Sequence, residues 1–143
     1  AADGWKFNGA VMKNVRFVGE CALSRADFCD AEVNEANLRD CDLSKAKFTT
    51  SYLNKTDFGG SNLKEANFEK ARAVNAQFDK ADLTFANMQK IDLFEGSMYK
   101  SVLSGAKLNG ANLYSVNFMG CTVGETDFTD AYLEQTIFKD WRP

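Results

Sequence analysis

Apolar residues return along this chain at an interval of five. Every residue whose number ends in 3 or 8, from Leu23 to Phe138, is apolar; of these 24 positions 11 are Leu and 8 are Phe. A second register lies two residues before each, from Cys21 to Thr136. It holds Ala, Gly, Ser, Thr or Cys at 22 of 24 positions, with Ile91 and Val116 as the exceptions. The unit is therefore small-x-Leu/Phe-x-x. Before residue 20 the motif runs in another frame, as Trp5/Phe7, Ala10/Met12 and Val15/Phe17, and a one-residue insertion falls near 18–20.

A period of five fits neither a helix, at 3.6, nor a continuous strand, at 2. It fits a three-residue strand followed by a two-residue corner. The small and large positions lie two apart, so both face one side of the strand. Four corners close a coil in 20 residues, and two cannot enclose a core. The columns at that spacing alternate in type: Leu23, Leu43, Leu63, Leu83 and Leu103 form one, Phe28, Phe48, Phe68 and Met88 the next. Ala73 is the one small residue of the large register and Ile91 the bulkiest of the small one. In neighbouring coils of one face they would fill each other's space, as close packing requires.

Units such as Ala26-Asp27-Phe28, Ala36-Asn37-Leu38, Ala66-Asn67-Phe68, Ala81-Asp82-Leu83 and Ala111-Asn112-Leu113 make the chain resemble the pentapeptide-repeat family. The resemblance implies an all-β fold: a right-handed quadrilateral parallel β-helix, a solenoid of four pentapeptides per coil. At the strand spacing, about 6.75 coils give a rod of roughly 30 Å. Residues 1–143 are expected to form one such domain, with early-frame units over 5–19, in-frame repeats over 21–140 and a short C-terminal cap over 141–143. Trp5 and Trp141 fall in the small register at opposite ends. A Trp does not fit that inner slot, so both are expected to fold over the exposed ends of the stack, where open strand edges invite pairing.

Half of the residues just before the large position are Asn or Asp, Asp27, Asn37, Asp42 and Asp57 among them. Short polar side chains there are expected to hydrogen-bond local backbone. Cys21, Cys41 and Cys121 occupy the small register, where Cys acts as a small hydrophobe. Cys21 and Cys41 would stack in neighbouring coils within the Cα range of a disulfide, which leaves their redox state open. Cys29 falls on an outward position and reads as a free thiol.

With no His in 143 residues, imidazole-based metal sites, Ser-His-Asp triads and Cys-His dyads are excluded. No Cys-x-x-Cys pair occurs, which removes a zinc ribbon. Gly59-Gly60 reads as a corner, and carboxylate pairs such as Asp27/Asp30 and Asp127/Asp130 as solvated corner residues. The reading is of a protein that is not an enzyme and binds no cofactor or metal. No apolar run reaches the length of a membrane-spanning helix, so no membrane insertion is expected. The compartment stays open between cytoplasm and a processed lumenal or periplasmic protein, for which Ala1-Ala2-Asp3 would suit a post-cleavage start. Whether the chain is a complete protein or a fragment is also open.

Net charge is −3 but uneven: residues 20–42 carry −5, 43–110 carry +3 and 111–143 carry −3. Outward positions hold an apolar set, Phe94, Tyr99, Tyr114 and Met119, expected to meet around one corner with Asn112 and Ser115 as rim. Aromatic clusters of this kind mark interfaces. The expected function is a non-enzymatic protein-binding or scaffold module whose rigid surface meets a partner protein. Self-association through the coil ends or the aromatic patch is compatible with it. One alternative is a DNA mimic that binds gyrase or topoisomerase, a task some members of the resembled family perform; it wants a long, strongly negative surface that this chain lacks. Others are a repeat segment of a secreted effector, or a lumenal protein. Direct nucleic-acid binding is disfavoured by a pI near 5.0.

Overall fold

The computed structural model describes residues 4–138. Among them there is no helix; the chain repeats a bridge residue and a two-residue turn in every pentapeptide. All bridges are parallel and join each strand to the one four units later, as in Asp27 to Lys47, Lys47 to Asn67 and Asn67 to Asn87. Four columns of strands therefore enclose one core. We number the faces by their strands at 21–23, 26–28, 31–33 and 36–38, each recurring every 20 residues. The first three bridges, such as Lys6 to Asp27 and Arg16 to Asn37, span 21 residues, whereas from Ala22 to Asp42 onward they span 20. The extra residue lies between Arg16 and Ala22, where Val18 stands 87% exposed.

Each backbone N–H of the pentapeptide has its own destination. In the unit Ala26–Asp30, Asp27 donates to the coil below at Trp5, while Phe28 and Asp30 donate to the coil above at Lys47 and Thr49. The Ala26 N–H closes the preceding turn on the Leu23 carbonyl. One N–H remains, at Cys29, and it donates to Asp27 Oδ1 at 2.9 Å. The same bond forms at all twelve Asn or Asp residues that precede a large inward residue from Asp27 to Asp127, at 2.8–3.3 Å. A buried or half-buried donor without a partner is costly, so these side chains complete the backbone accounting that the coil leaves open.

Where that position holds Tyr52 or Arg72, the acceptor comes from elsewhere. Asn34 Oδ1 accepts from the Asn54 N–H at 2.8 Å, and Asn54 Oδ1 from the Val74 N–H at 3.0 Å, each from one coil below. The second turn residue is left-handed throughout: 20 non-glycine residues have φ between 55° and 60°, and Gly60, Gly105, Gly110 and Gly120 share the position with φ of 68–75°. Positive φ at that place is what a tight turn of the type II class demands.

The core is a lattice of the two inward registers. Phe28, Phe48 and Phe68 stack on the second face with centroids 4.8 Å apart and planes within 2°. Phe58 and Phe78 stack on the fourth face, also at 4.8 Å. The columns meet edge to face, at 85–87° and 5.4–5.6 Å for Phe58–Phe68 and Phe68–Phe78. One aromatic spacing thus matches the strand spacing, and the other is the favoured T-shaped contact. Ala73 and Ile91 lie in paired strands, both fully buried. Val116 stands directly after Gly96 in its column, and a Cβ on Gly96 would come within 2.9 Å of the Ala76 carbonyl. Bulk at one level is matched by its absence at the next. Buried hydroxyls are satisfied inside the coil: Ser51 and Ser61 donate to the carbonyls of Phe48 and Phe58, and Thr56 to that of Val33.

Cys21 and Cys41 are joined as a disulfide, with Cα atoms 4.7 Å apart. It links the first in-frame strand to its neighbour, directly after the inserted residue. Cys29 and Cys121 are free thiols. Burial pushes the Cys121 thiol up, and its Sγ donates to the Met98 carbonyl.

Candidate functional site

The four outer candidates share one local geometry. Phe94, Tyr99, Tyr114 and Met119 each occupy the first turn residue after an inward side chain, and each is half-buried. Their backbone N–H groups donate to Asp92, Ser97, Asn112 and Asn117 respectively. The side chains are therefore carried on pinned backbone.

The structure brings them together as two pairs rather than one cluster. Phe94 and Tyr114 stack at the corner between the third and fourth faces, with centroids 5.2 Å apart and planes at 8°. Tyr99 and Met119 lie at the next corner, after the fourth-face strands. Five residues separate the two corners, and the bridged residues Ser97 and Asn117 stand between them. The pairs thus frame the fourth face as two ridges. Above them on that face stands Ile137, 49% exposed.

Tyr132, a central residue of the third face, joins the first ridge. Its ring meets Tyr114 edge-on at 5.9 Å and 79°. Its hydroxyl donates to Glu134, which pushes the phenol's pKa up. The spacing alone hid this contact, because 114 and 132 are not 20 apart and the ring must lean across the strand. The Lys100 ammonium lies 5.2 Å from the Tyr99 ring centre, within cation–π range. Phe85, the other outward Phe, is 64% exposed and covers Gly105 in the coil above, where a Cβ would lie 2.5 Å from its ring.

Trp5 is 55% exposed and lies against Phe7 with centroids 6.0 Å apart. Trp141 and the expected cap at 141–143 lie outside the described residues. Among the described residues no group of three or more His, Cys, Asp or Glu could hold a metal ion, and no helix is long and apolar enough to cross a membrane.

Comparison with known proteins agrees with this architecture. The family profile described as Pentapeptide repeats (8 copies) matches residues 21–60, 61–98 and 97–135. Rfr23, a pentapeptide repeat protein from the cyanobacterium Cyanothece 51142, is 19% identical with a TM-score of 0.55, covering 92% of this chain and 89% of that one. A trypsin-treated form of QnrB1, a plasmid-mediated fluoroquinolone resistance protein, is 20% identical with a TM-score of 0.52, covering 96% and 86%. AT2G44920, a pentapeptide repeat protein from the Arabidopsis thaliana thylakoid lumen, is 31% identical over 74% of this chain and 70% of that one, with a TM-score of 0.40. No curated protein gives a significant match. The chain belongs to the pentapeptide-repeat family, and its fold is the right-handed quadrilateral β-helix.

Proposed function

We propose that this pentapeptide-repeat protein is a non-enzymatic scaffold that binds a partner protein across its fourth face, between the ridge of Phe94, Tyr114 and Tyr132 and the ridge of Tyr99 and Met119. The observation that carries the reading is the stacked Phe94–Tyr114 pair on the outside of the rod. Most turn positions of this type carry small or polar residues, as Ser44, Thr49, Asn54 and Thr84 do. Aromatic area held in a fixed position costs little entropy to use, and such residues dominate interface energies. Ser97 and Asn117 supply hydrogen-bonding groups between the ridges. Trp5 would close the lower end of the stack, which leaves the sides as the binding surfaces.

The test is a pull-down from the native source with the double variant Phe94→Ser/Tyr114→Ser as control. Proteins retained by the native chain are expected to be lost by the variant, while its melting temperature stays close to native because neither ring is in the core. A large drop in melting temperature would identify the pair as a brace between coils and remove the assignment. The DNA-mimic alternative separates cleanly: it requires inhibition of gyrase supercoiling, whereas on this reading supercoiling proceeds unchanged at micromolar protein.

A further inference from the structure

The third face carries a charge pattern that reverses about the level of Tyr52. Its central bridged residues run, from the lower coils upward, Val11, Glu32, Tyr52, Arg72, Asp92, Asn112 and Tyr132. Glu32 and Arg72 stand one coil below and one coil above Tyr52. The corner leading into this face repeats the pattern: Asp30, Thr50 and Lys70 occupy successive coils. Two oppositely charged pairs, Asp30 with Lys70 and Glu32 with Arg72, are thus placed symmetrically about one level. Glu32 also meets Lys13 of the coil below at 3.7 Å, an exposed pair of the weakly held kind.

The basic half lies open. Lys70, Arg72 and Lys90, with Asn54, Val74 and Asp92, line a shallow groove of about 380 Å³. Among the described residues none of these three cations has a carboxylate within ion-pair distance. Lys70 and Lys90 occupy one corner column in successive coils, and like charges so placed repel. Arg72 lies over the Tyr52 ring, 5.5 Å from its centre, which holds the guanidinium toward the middle of the face. Tyr52 itself is 39% exposed. Stacked cations without internal partners are best satisfied by acidic groups from outside.

We propose that the third face is a docking surface for a second copy of this chain, lying antiparallel, with Tyr52 on the two-fold axis. An axis that lies in the interface and across the rod reverses height but keeps each column opposite itself. Asp30 then faces Lys70 of the second copy, Glu32 faces Arg72, and Tyr52 faces Tyr52. Two coils from the axis Val11 faces Asp92 and Lys13 faces Phe94. Every contact occurs twice, as an isologous interface requires. The groove on the basic half receives Asp30 and Glu32 of the other copy. Lys55 meets its equivalent near the axis at the corner, one coil from the second copy's Glu35, and can turn toward it. A parallel arrangement would set acid against acid, so the charge pattern also selects orientation. This surface meets the aromatic ridges only at Phe94, while Tyr99, Tyr114 and Met119 stay outside the overlap, so the two proposals are tested by separate variants.

The experiment uses the full chain and two charge-reversed variants, Asp30→Lys/Glu32→Lys and Lys70→Glu/Arg72→Glu, in sedimentation equilibrium. At low salt the native chain is expected to approach twice the mass of one chain at high micromolar concentration. It should return to one chain mass at 0.5 M NaCl, since exposed pairs are screened there. Each variant alone is expected to be monomeric, with self-association weakened at least tenfold. An equimolar mixture of the two is expected to form the mixed dimer, because one then carries cations at positions 30, 32, 70 and 72 and the other carboxylates at all four. That rescue also shows that both variants fold. A monomeric native chain at low salt overturns the proposal. So does a dimer that persists in both variants, or a mixture that stays monomeric while circular dichroism shows both variants folded.

Discussion

The most economical use of single residues here is the Asn or Asp that precedes each large inward side chain. Five N–H groups repeat in every unit, and the coil geometry satisfies four. Asn67→Ala removes the acceptor for the Glu69 N–H, bonded at 2.9 Å. It should lower the unfolding free energy by about 1–2 kcal/mol, the cost of a half-buried donor left without a partner, as read by urea denaturation; Asn67→Asp should recover most of the loss. The role of these residues as local acceptors was legible from their position. The Asn34–Asn54 substitution for Tyr52 and Arg72 was not, because it depends on knowing which residues stack 20 apart. Titration carries the same bond into pH dependence. The Cys29 N–H, then the Cys29 thiol, hold the Asp27 carboxyl below its ordinary 3.8, with Lys47 and Lys6 adding to this against burial. At Asp82 burial acts upward, but Thr84 and Lys64 outweigh it and the pKa again falls. A group whose folded pKa is depressed stabilises the fold above its unfolded pKa and loses that contribution as pH falls through the folded value. Melting temperature should therefore be flat at neutral pH and decline below about pH 4. Asp27→Asn keeps the Oδ1 acceptor and should make that decline shallower; an unchanged acid limb would remove Asp27 from the explanation.

At the scale of the coil, the inward registers decide stability and the corners decide shape. Phe68 contacts Phe48 in its own column and Phe58 and Phe78 across the core. Phe68→Ala should cost about 3–5 kcal/mol through lost contacts and a cavity, whereas Glu69→Ala on the adjacent outer position should cost less than about 0.5 kcal/mol. Equal costs in chemical denaturation would contradict the inward register. Gly96→Ala is a sharper probe, since Ala is the commonest residue in that register. A Cβ at this level would lie 2.5 Å from Leu93 Cδ1 and 2.9 Å from the Ala76 carbonyl. The backbone oxygen cannot retreat without breaking the ladder, so the change should destabilise by about 1–3 kcal/mol, opposite in sign to a helix-interior Gly→Ala. The fold was legible because one motif recurs through 24 units and any register slip would expose its large residues. The left-handed corners were not: most hold Lys, Glu or Asp rather than Gly, so no glycine signature announces them. The grouping of the aromatics also escaped the sequence. Positions 94 and 99 sit at opposite ends of one strand, a separation that a count of coils does not reveal.

The whole molecule is a one-dimensional stack, in which each coil is held by its neighbours and the ends are weakest. The lower end has three features that bear on this. The bridge offset changes from 21 to 20, the inserted segment stands exposed at Val18, and the inward residues Phe7, Met12, Val15 and Phe17 are only partly buried. The Cys21–Cys41 disulfide sits at the junction, so it clamps the first in-frame strand to the coil above, while the early-frame strands pair with those at 26–28, 31–33 and 36–38. Closing a loop of that length contributes about 3 kcal/mol in the chain-entropy account. In a stack, that stabilisation acts locally. Cys21→Ser/Cys41→Ser places hydroxyls where Ser51, Ser61 and Ser101 are already accommodated, so packing is otherwise preserved. The variant, or the native chain under reductant, should lose hydrogen-exchange protection at the amides of Phe7, Met12 and Phe17, which bond to the coil above. Those of Phe58, Phe68 and Phe78 should exchange as before. Such a gradient is the signature of a lattice that frays from one end. If protection instead fell by the same factor along the entire rod, the coils would unfold as one unit, and the disulfide would be a global staple rather than a clamp on the first turns.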